Sequence, residues 1–270
     1  MNTERMSKRE FERLKGVLAL LFLLIPTIYS NAQINDLLNT LDDNSNRETT
    51  VSTNDLAKLK SPDVQTLRLI MVEIQDIGRL EQKQLFVDAA NRIYPLRKAF
   101  EIMGTNLVPL LPALRAEFLS GKSIGASGWA LVFMGENGWP VLRQGLTNTN
   151  ERVQLCSLEA MPYIKGTNAW LALPSLTSLL TNNLDIVRMQ AVAAVGKADV
   201  NSGEKIRLLL GVLDVETNYT VKCIAIKQLE PFVDDAKVVS ILERLSKDRN
   251  VSVRYNASNA LLHVEDKHAR

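Results

Sequence analysis

From residue 153 onward, apolar and polar positions repeat in one fixed order. Val153-Gln154, Val187-Arg188, Val221-Lys222 and Val253-Arg254 each set a valine before a long polar residue. Four residues after each valine stands a small residue (Ser157, Ala191, Ala225, Ala257), and eight after it a large apolar one (Met161, Val195, Leu229, Leu261). Spacing of four and eight lines one face of a helix, so each copy predicts an amphipathic helix. The valines lie 34, 34 and 32 residues apart, a period that signals stacked repeats. The fullest copy is Leu184 to Gly196.

A second register runs alongside. Val108-Pro109-Leu110, Trp139-Pro140-Val141 and Leu173-Pro174-Ser175 are expected to begin three helices, since proline suits a first turn. The preceding Gly104-Thr105-Asn106 and Gly166-Thr167-Asn168 read as helix stop and turn. Two later units open without proline, at Lys205-Ile206-Arg207-Leu208 and Val238-Val239-Ser240-Ile241. Each unit is therefore helix, turn, helix, turn, with units at about 104–137, 138–168, 169–202, 203–235 and 236–264. No such unit buries its apolar face alone, so the stack shares a continuous core.

Ahead of the repeats, Ser61-Pro62-Asp63 predicts a helix start. Leu67, Ile70, Met71, Ile74 and Ile77 line one face, and Gly78 is expected to end the helix. A second helix is expected over Glu81 to Met103, kinked or split at Pro95. Residues 61–103 thus form a helical segment that opens the solenoid. Residues 33–60 read as a flexible polar tether, with Ile34 to Leu41 and Leu56 to Leu59 as short apolar pieces able to dock as isolated turns. The apolar run Gly16 to Ser30 follows a basic start and precedes small residues, so residues 1–32 read as a secretory signal peptide cleaved after Ala32. The expected location is periplasmic or extracellular, with an uncleaved N-terminal membrane anchor as the alternative.

Composition is that of a globular chain, 46% hydrophobic and 23% charged over 270 residues. The net charge of +2 comes from the leader, where five bases face three acids; the remaining 27 bases balance 27 acids. Nothing there supports a nucleic-acid partner. Cys156 and Cys223 fall on equivalent helices two repeats apart, about 20 Å by ordinary helix spacing and beyond the roughly 7 Å limit of a disulfide. Both are expected to be free, packed thiols.

The copies of Asp185-Ile186-Val187-Arg188-Met189-Gln190-Ala191, with the proline-led first helices, resemble the HEAT-repeat family, specifically the bacterial HEAT-like repeats also seen in phycocyanobilin-lyase-type proteins. The resemblance implies an all-α, right-handed α-solenoid of about five helical hairpins over residues 104–264, followed by a charged tail at 265–270. A further family trait is an acid six residues before the base that opens the second helix. Glu216 precedes Lys222 and Asp248 precedes Arg254 at that spacing, whereas Asn182 precedes Arg188 and Asn148 precedes Gln154. A continuous charge ladder between units is therefore expected to be incomplete.

No catalytic constellation accompanies the repeats. His263 and His268 stand near the charged tail, short of the three or four converging ligands a metal needs. Asp42-Asp43 and Asp234-Asp235 are adjacent and read as turn and cap residues. Gly121 to Gly128 resembles a phosphate loop superficially but lacks the required order and strand, and reads as a turn with tight helix packing. Asn218, Asn250 and Asn256 match the glycosylation sequon; two fall where asparagine caps a helix. Trp129, Trp139 and Trp170 lie at unit boundaries as packing groups or partner anchors. No catalytic, cofactor-binding or metal-binding residue is expected. The expected function is an exported, non-enzymatic scaffold or protein-binding module, with a protein partner engaged on the concave face of the second helices. The alternatives are an enzyme or enzyme partner resembling the HEAT-like bilin lyases, and a self-associating structural envelope protein.

Overall fold

The structure, a computed structural model, describes residue 57 and residues 59–268, with side chains described as far as Leu262. The leader at 1–32, most of the tether, Asp42-Asp43 and the side chains of His263, His268 and the tail lie outside the described residues. The described residues form helices and no strands. In chain order the α-helices are α1 (Val64–Gln82), α2 (Phe86–Met103), α3 (Leu111–Leu119), α4 (Gly125–Phe133), α5 (Trp139–Gly145), α6 (Glu151–Ala160), α7 (Gly166–Leu179), α8 (Asp185–Lys197), α9 (Ser202–Val215), α10 (Tyr219–Leu229), α11 (Ala236–Leu245) and α12 (Val251–His268).

Each odd helix packs against the even helix that follows it, and each even helix packs against the next even one. The molecule is therefore an α-solenoid of HEAT-like hairpins, and the opening segment α1/α2 is itself a hairpin continuous with the stack. One core runs its length. Val153, Val187, Val221 and Val253 are fully buried, as are Ser157, Ala191, Ala225 and Ala257, the small residues that let neighbouring even helices approach. Met161, Val195 and Leu229 close the same face.

Several helix boundaries differ from those the sequence predicts, each for a local reason. Ala57, Leu59 and Lys60 lie in a docked helical turn ahead of α1: Leu59 is fully buried and the Lys60 carbonyl accepts a bond from Asn106 Nδ2 at 2.7 Å. Asp63, not Ser61, caps α1, its carboxylate accepting the Thr66 amide at 2.7 Å. Gly78 does not end α1; a Cβ there would stand 2.6 Å from the Lys122 carbonyl oxygen, so the glycine permits a close crossing inside a continuing helix. The chain instead reverses at Gln84, whose φ of 60° is left-handed, and α2 starts at Phe86 rather than at Glu81.

Two prolines sit inside helices without ending them. Pro95 in α2 and Pro174 in α7 lack the amide that would bond the carbonyl four residues back, and the residues at those positions, Asn91 and Trp170, are exposed, so the missing bond is not buried. Accordingly α7 begins at Gly166, with Gly166-Thr167-Asn168 as its first turn, not at Pro174. Trp139-Pro140 does begin α5, as predicted, while Pro109 lies in the 3₁₀ turn Gly104–Leu110 ahead of α3. Asparagine caps recur at the even helices: Asn150 accepts the Arg152 amide, Asn218 those of Thr220 and Val221, and Asn250 those of Ser252 and Val253. Asp235 caps α11.

Candidate functional site

The even helices form one continuous layer. Arg152 on α6 lies 5.3 Å over the ring of Phe86 on α2, so side chains two hairpins apart meet across the intervening α4. On this face an aromatic and cationic cluster is built from three hairpins. α4 turns Ala126, Ala130, Leu131 and Val132 into the core, which leaves Trp129 and Phe133, four residues apart, on its outer stripe. Their rings stack with centroids 6.1 Å apart. Tyr163, in the 3₁₀ turn Met161–Tyr163 after α6, meets Trp129 edge-on at 5.4 Å. Arg97 of α2 lays its guanidinium 3.8 Å above the Trp129 ring.

Beside Trp129 lies a cleft of about 30 Å³, lined by Gly128, Trp129, Val132, Cys156, Glu159 and Ala160. It is the size of one water molecule. Burial raises the Glu159 carboxyl above its ordinary range. Burial also pushes the Cys156 thiol up to about 12, helped by the fields of Glu159 and Glu81 and opposed by Arg152. A thiol held protonated in this way is a packing group at neutral pH, not a nucleophile. Cys156 and Cys223 are both free, and the Cys156 sulfur donates to the Ile124 carbonyl at 3.7 Å.

The glycine-rich stretch Gly121 to Gly128 is closed to anions by the protein itself. Both oxygens of the buried Glu81 carboxylate accept amides at the start of α4, Ile124 N at 2.9 Å and Gly125 N at 3.0 Å. Those amides are the donors a phosphate would need. Gly125 and Gly128 serve close packing, since a Cβ would stand 2.6 Å from Glu81 Oε1 at the first and 2.6 Å from the Cys156 sulfur at the second.

The other sequence candidates scatter. Trp139 packs on the core, and Trp170 stands exposed on α7 with Leu171 beside it. Asn218 and Asn250 are helix caps, and Asn256 donates to the Ser252 carbonyl within α12. Among the described residues no three His, Cys, Asp or Glu side chains gather to hold a metal, and no helix is long and apolar enough to cross a membrane. On the odd-helix side, grooves of about 220 Å³ between α7 and α9 and about 410 Å³ between α9 and α11 are open to solvent; Asp214 and Arg244 pair across the second at 2.9 Å. Of the cluster residues only Trp129 stands out in the sequence. Phe133, four residues on, is the signal that accompanies it, while Arg97 and Tyr163 join only through the stacking of hairpins.

No protein-family model matches the chain, and no curated protein does. Solved structures do. A chain from the complex of CpcE and CpcF of phycocyanin lyase from Nostoc sp. PCC7120 is 20% identical over 57% of this chain and 99% of that one, with a TM-score of 0.44. A designed armadillo repeat protein in complex with the peptide (KR)4 is 20% identical over 77% and 97%, with a TM-score of 0.40. An engineered protein is 17% identical over 86% and 97%, with a TM-score of 0.41.

Proposed function

We propose that this chain is an exported, non-enzymatic protein-binding module whose partner docks on the even-helix face at Arg97, Trp129 and Tyr163. The observation that carries the reading is that cluster: a tryptophan, a tyrosine and an arginine from three successive hairpins, packed into one platform on the even-helix layer. These residue types dominate the energetics of protein interfaces, and a rigid platform costs little entropy on binding. Export rests on the sequence of residues 1–32; mass spectrometry of protein recovered outside the cytoplasm should show a chain beginning at Gln33.

The docking test is affinity capture from an envelope fraction with immobilised wild-type chain, beside Trp129→Ala and Arg97→Ala variants whose helicity and melting are checked first. At least one captured protein should be lost with both variants and kept by an Arg254→Gln variant. Retention of every captured protein by both variants would overturn the reading. A second reading has one observation in its favour: Glu159, its carboxyl raised by burial, and Tyr163 flank Trp129, a pair from which an enzyme or enzyme partner handling a tetrapyrrole would draw an acid. Covalent transfer of bilin to an apoprotein on incubation with this chain would establish it.

A further inference from the structure

The position three residues ahead of each even helix reads, through the array, Lys83, Lys122, Asn148, Asn182, Glu216 and Asp248. In the last four the side chain accepts the amide two residues on, at Asn150, Leu184, Asn218 and Asn250, over 2.7–2.9 Å. The two acids do something more. Glu216 takes Arg188 from the preceding hairpin, Nε to Oε2 at 2.8 Å and the second guanidinium nitrogen to Oε1 at 3.2 Å. Asp248 pairs with Lys222 of the preceding hairpin through a single ion pair, Nζ to Oδ2 at 3.5 Å.

Arg254 is the next base in this series. One of its terminal nitrogens donates to the carbonyls of Asp248 and Arg249, each at 2.9 Å, as Arg188 donates to those of Asn182 and Asn183 at 2.8 and 3.3 Å. The guanidinium is thus held as Arg188 is held. Its remaining edge, the one Arg188 gives to Glu216, makes no bond among the described residues. Beside it Tyr255 occupies the repeat position of Leu155, Met189 and Cys223, which pack against the core, yet it is 66% exposed. Val251 and Leu262, four residues before and seven after Tyr255, extend an exposed apolar stripe along α12. Ser258 stands exposed where Leu158, Val192 and Ile226 are buried.

We propose that the outer face of α12 binds a helical hairpin of a partner protein that carries an aspartate or glutamate just ahead of its second helix, the carboxylate pairing with Arg254 as Glu216 pairs with Arg188. The two rungs inside the molecule define the chemistry of the occupant. A second copy of this chain stacked head to tail is opposed, because its first hairpin presents Lys83 at the rung position and would set like charges together.

The test uses the full chain throughout, since a single hairpin does not bury its apolar face alone. The probe is a fluorescently labelled full-length Lys83→Glu/Arg254→Gln chain, whose first hairpin presents an acid at the rung position and whose own Arg254 is removed. Binding of unlabelled chain is followed by anisotropy at low ionic strength. The wild-type chain should bind the probe, and Arg254→Gln should weaken binding about tenfold or more. Glutamine preserves the local loop, as Gln154 shows by donating to the Asn148 carbonyl at 2.7 Å. Arg254→Glu should abolish binding, and a probe that keeps Lys83 should restore it. Three outcomes each overturn the proposal: binding indifferent to Arg254, no binding up to about 1 mM, or self-association of the wild-type chain that Arg254→Gln abolishes.

Discussion

Arg92 on α2 grips Glu73 on α1 with two parallel bonds, Nε to Oε1 at 2.7 Å and a terminal nitrogen to Oε2 at 2.6 Å. The Glu73 side chain is 1% exposed and that of Arg92 33%, so the pair closes the first hairpin from its wet edge inward. A buried carboxylate that loses its partner is costly, whereas replacing both members by apolar groups is often neutral. Arg92→Met should therefore destabilise the chain by about 3 kcal/mol, while Glu73→Met/Arg92→Met should return to within about 1 kcal/mol of wild type. Urea unfolding measures both. A double variant less stable than the single one would show that the pair itself, not relief of a buried charge, holds the hairpin.

Arg188 and Glu216 brace consecutive hairpins with side chains only 15% and 5% exposed. Burial pushes the Glu216 carboxyl up, but the Arg188 bond and the amides of Asn218 and Thr217 outweigh it, and its pKa settles below the ordinary carboxylate value. A depressed carboxylate stabilises the fold fully above its unfolded pKa of about 4.3 and loses that contribution as pH falls through the folded pKa. Glu216→Gln should thus cost about 2 kcal/mol at neutral pH. The gap to wild type should stay constant down to about pH 5.5 and close below about pH 4. Unfolding titrations across this range check it, and a gap widening on acidification would contradict the assignment.

The two thiols should separate by reactivity. Cys156 is pushed up to about 12 by burial, and Cys223 is raised by burial with Asn256 pulling the other way. At pH 8 a thiol near 12 holds roughly one thiolate in ten thousand. A disulfide reagent should label Cys223 first and reach Cys156 only at the rate of unfolding, so peptide mapping of the early product should find Cys223 alone. Early modification of Cys156 in folded protein would show that its helix opens locally.

The repeat was legible because four valines, four small residues and their large apolar partners all serve one task, stacking even helices, and that task leaves a period in the sequence. The incomplete ladder was legible too, since Asn148 and Asn182 stand where Glu216 and Asp248 carry charge. Boundaries were less so. Pro174 and Gly78 look like punctuation, yet their effect depends on whether the carbonyl four residues back reaches water and on what backbone crosses nearby, and neither is written locally. The platform at Trp129 was half legible: the tryptophan and Phe133 share a helix, but Arg97 and Tyr163 arrive from neighbouring hairpins.

Glu81 and Gly125 offer the sharpest test of how α4 is held. α4 lacks a polar capping residue at its start, and the Glu81 carboxylate replaces one from a helix away. Gly125→Ala would place its methyl 2.6 Å from Glu81 Oε1 and 2.9 Å from Ile93 Cδ1, forcing the carboxylate off the amides. The expected cost is about 2 kcal/mol, similar to that of Glu81→Ala, because each leaves the same buried amides unpaired. The two substitutions share one mechanism, so their combination should cost at least about 1 kcal/mol less than the sum of the singles. Additivity within about 0.5 kcal/mol would mean that the glycine acts elsewhere, through Ile93 rather than through the cap.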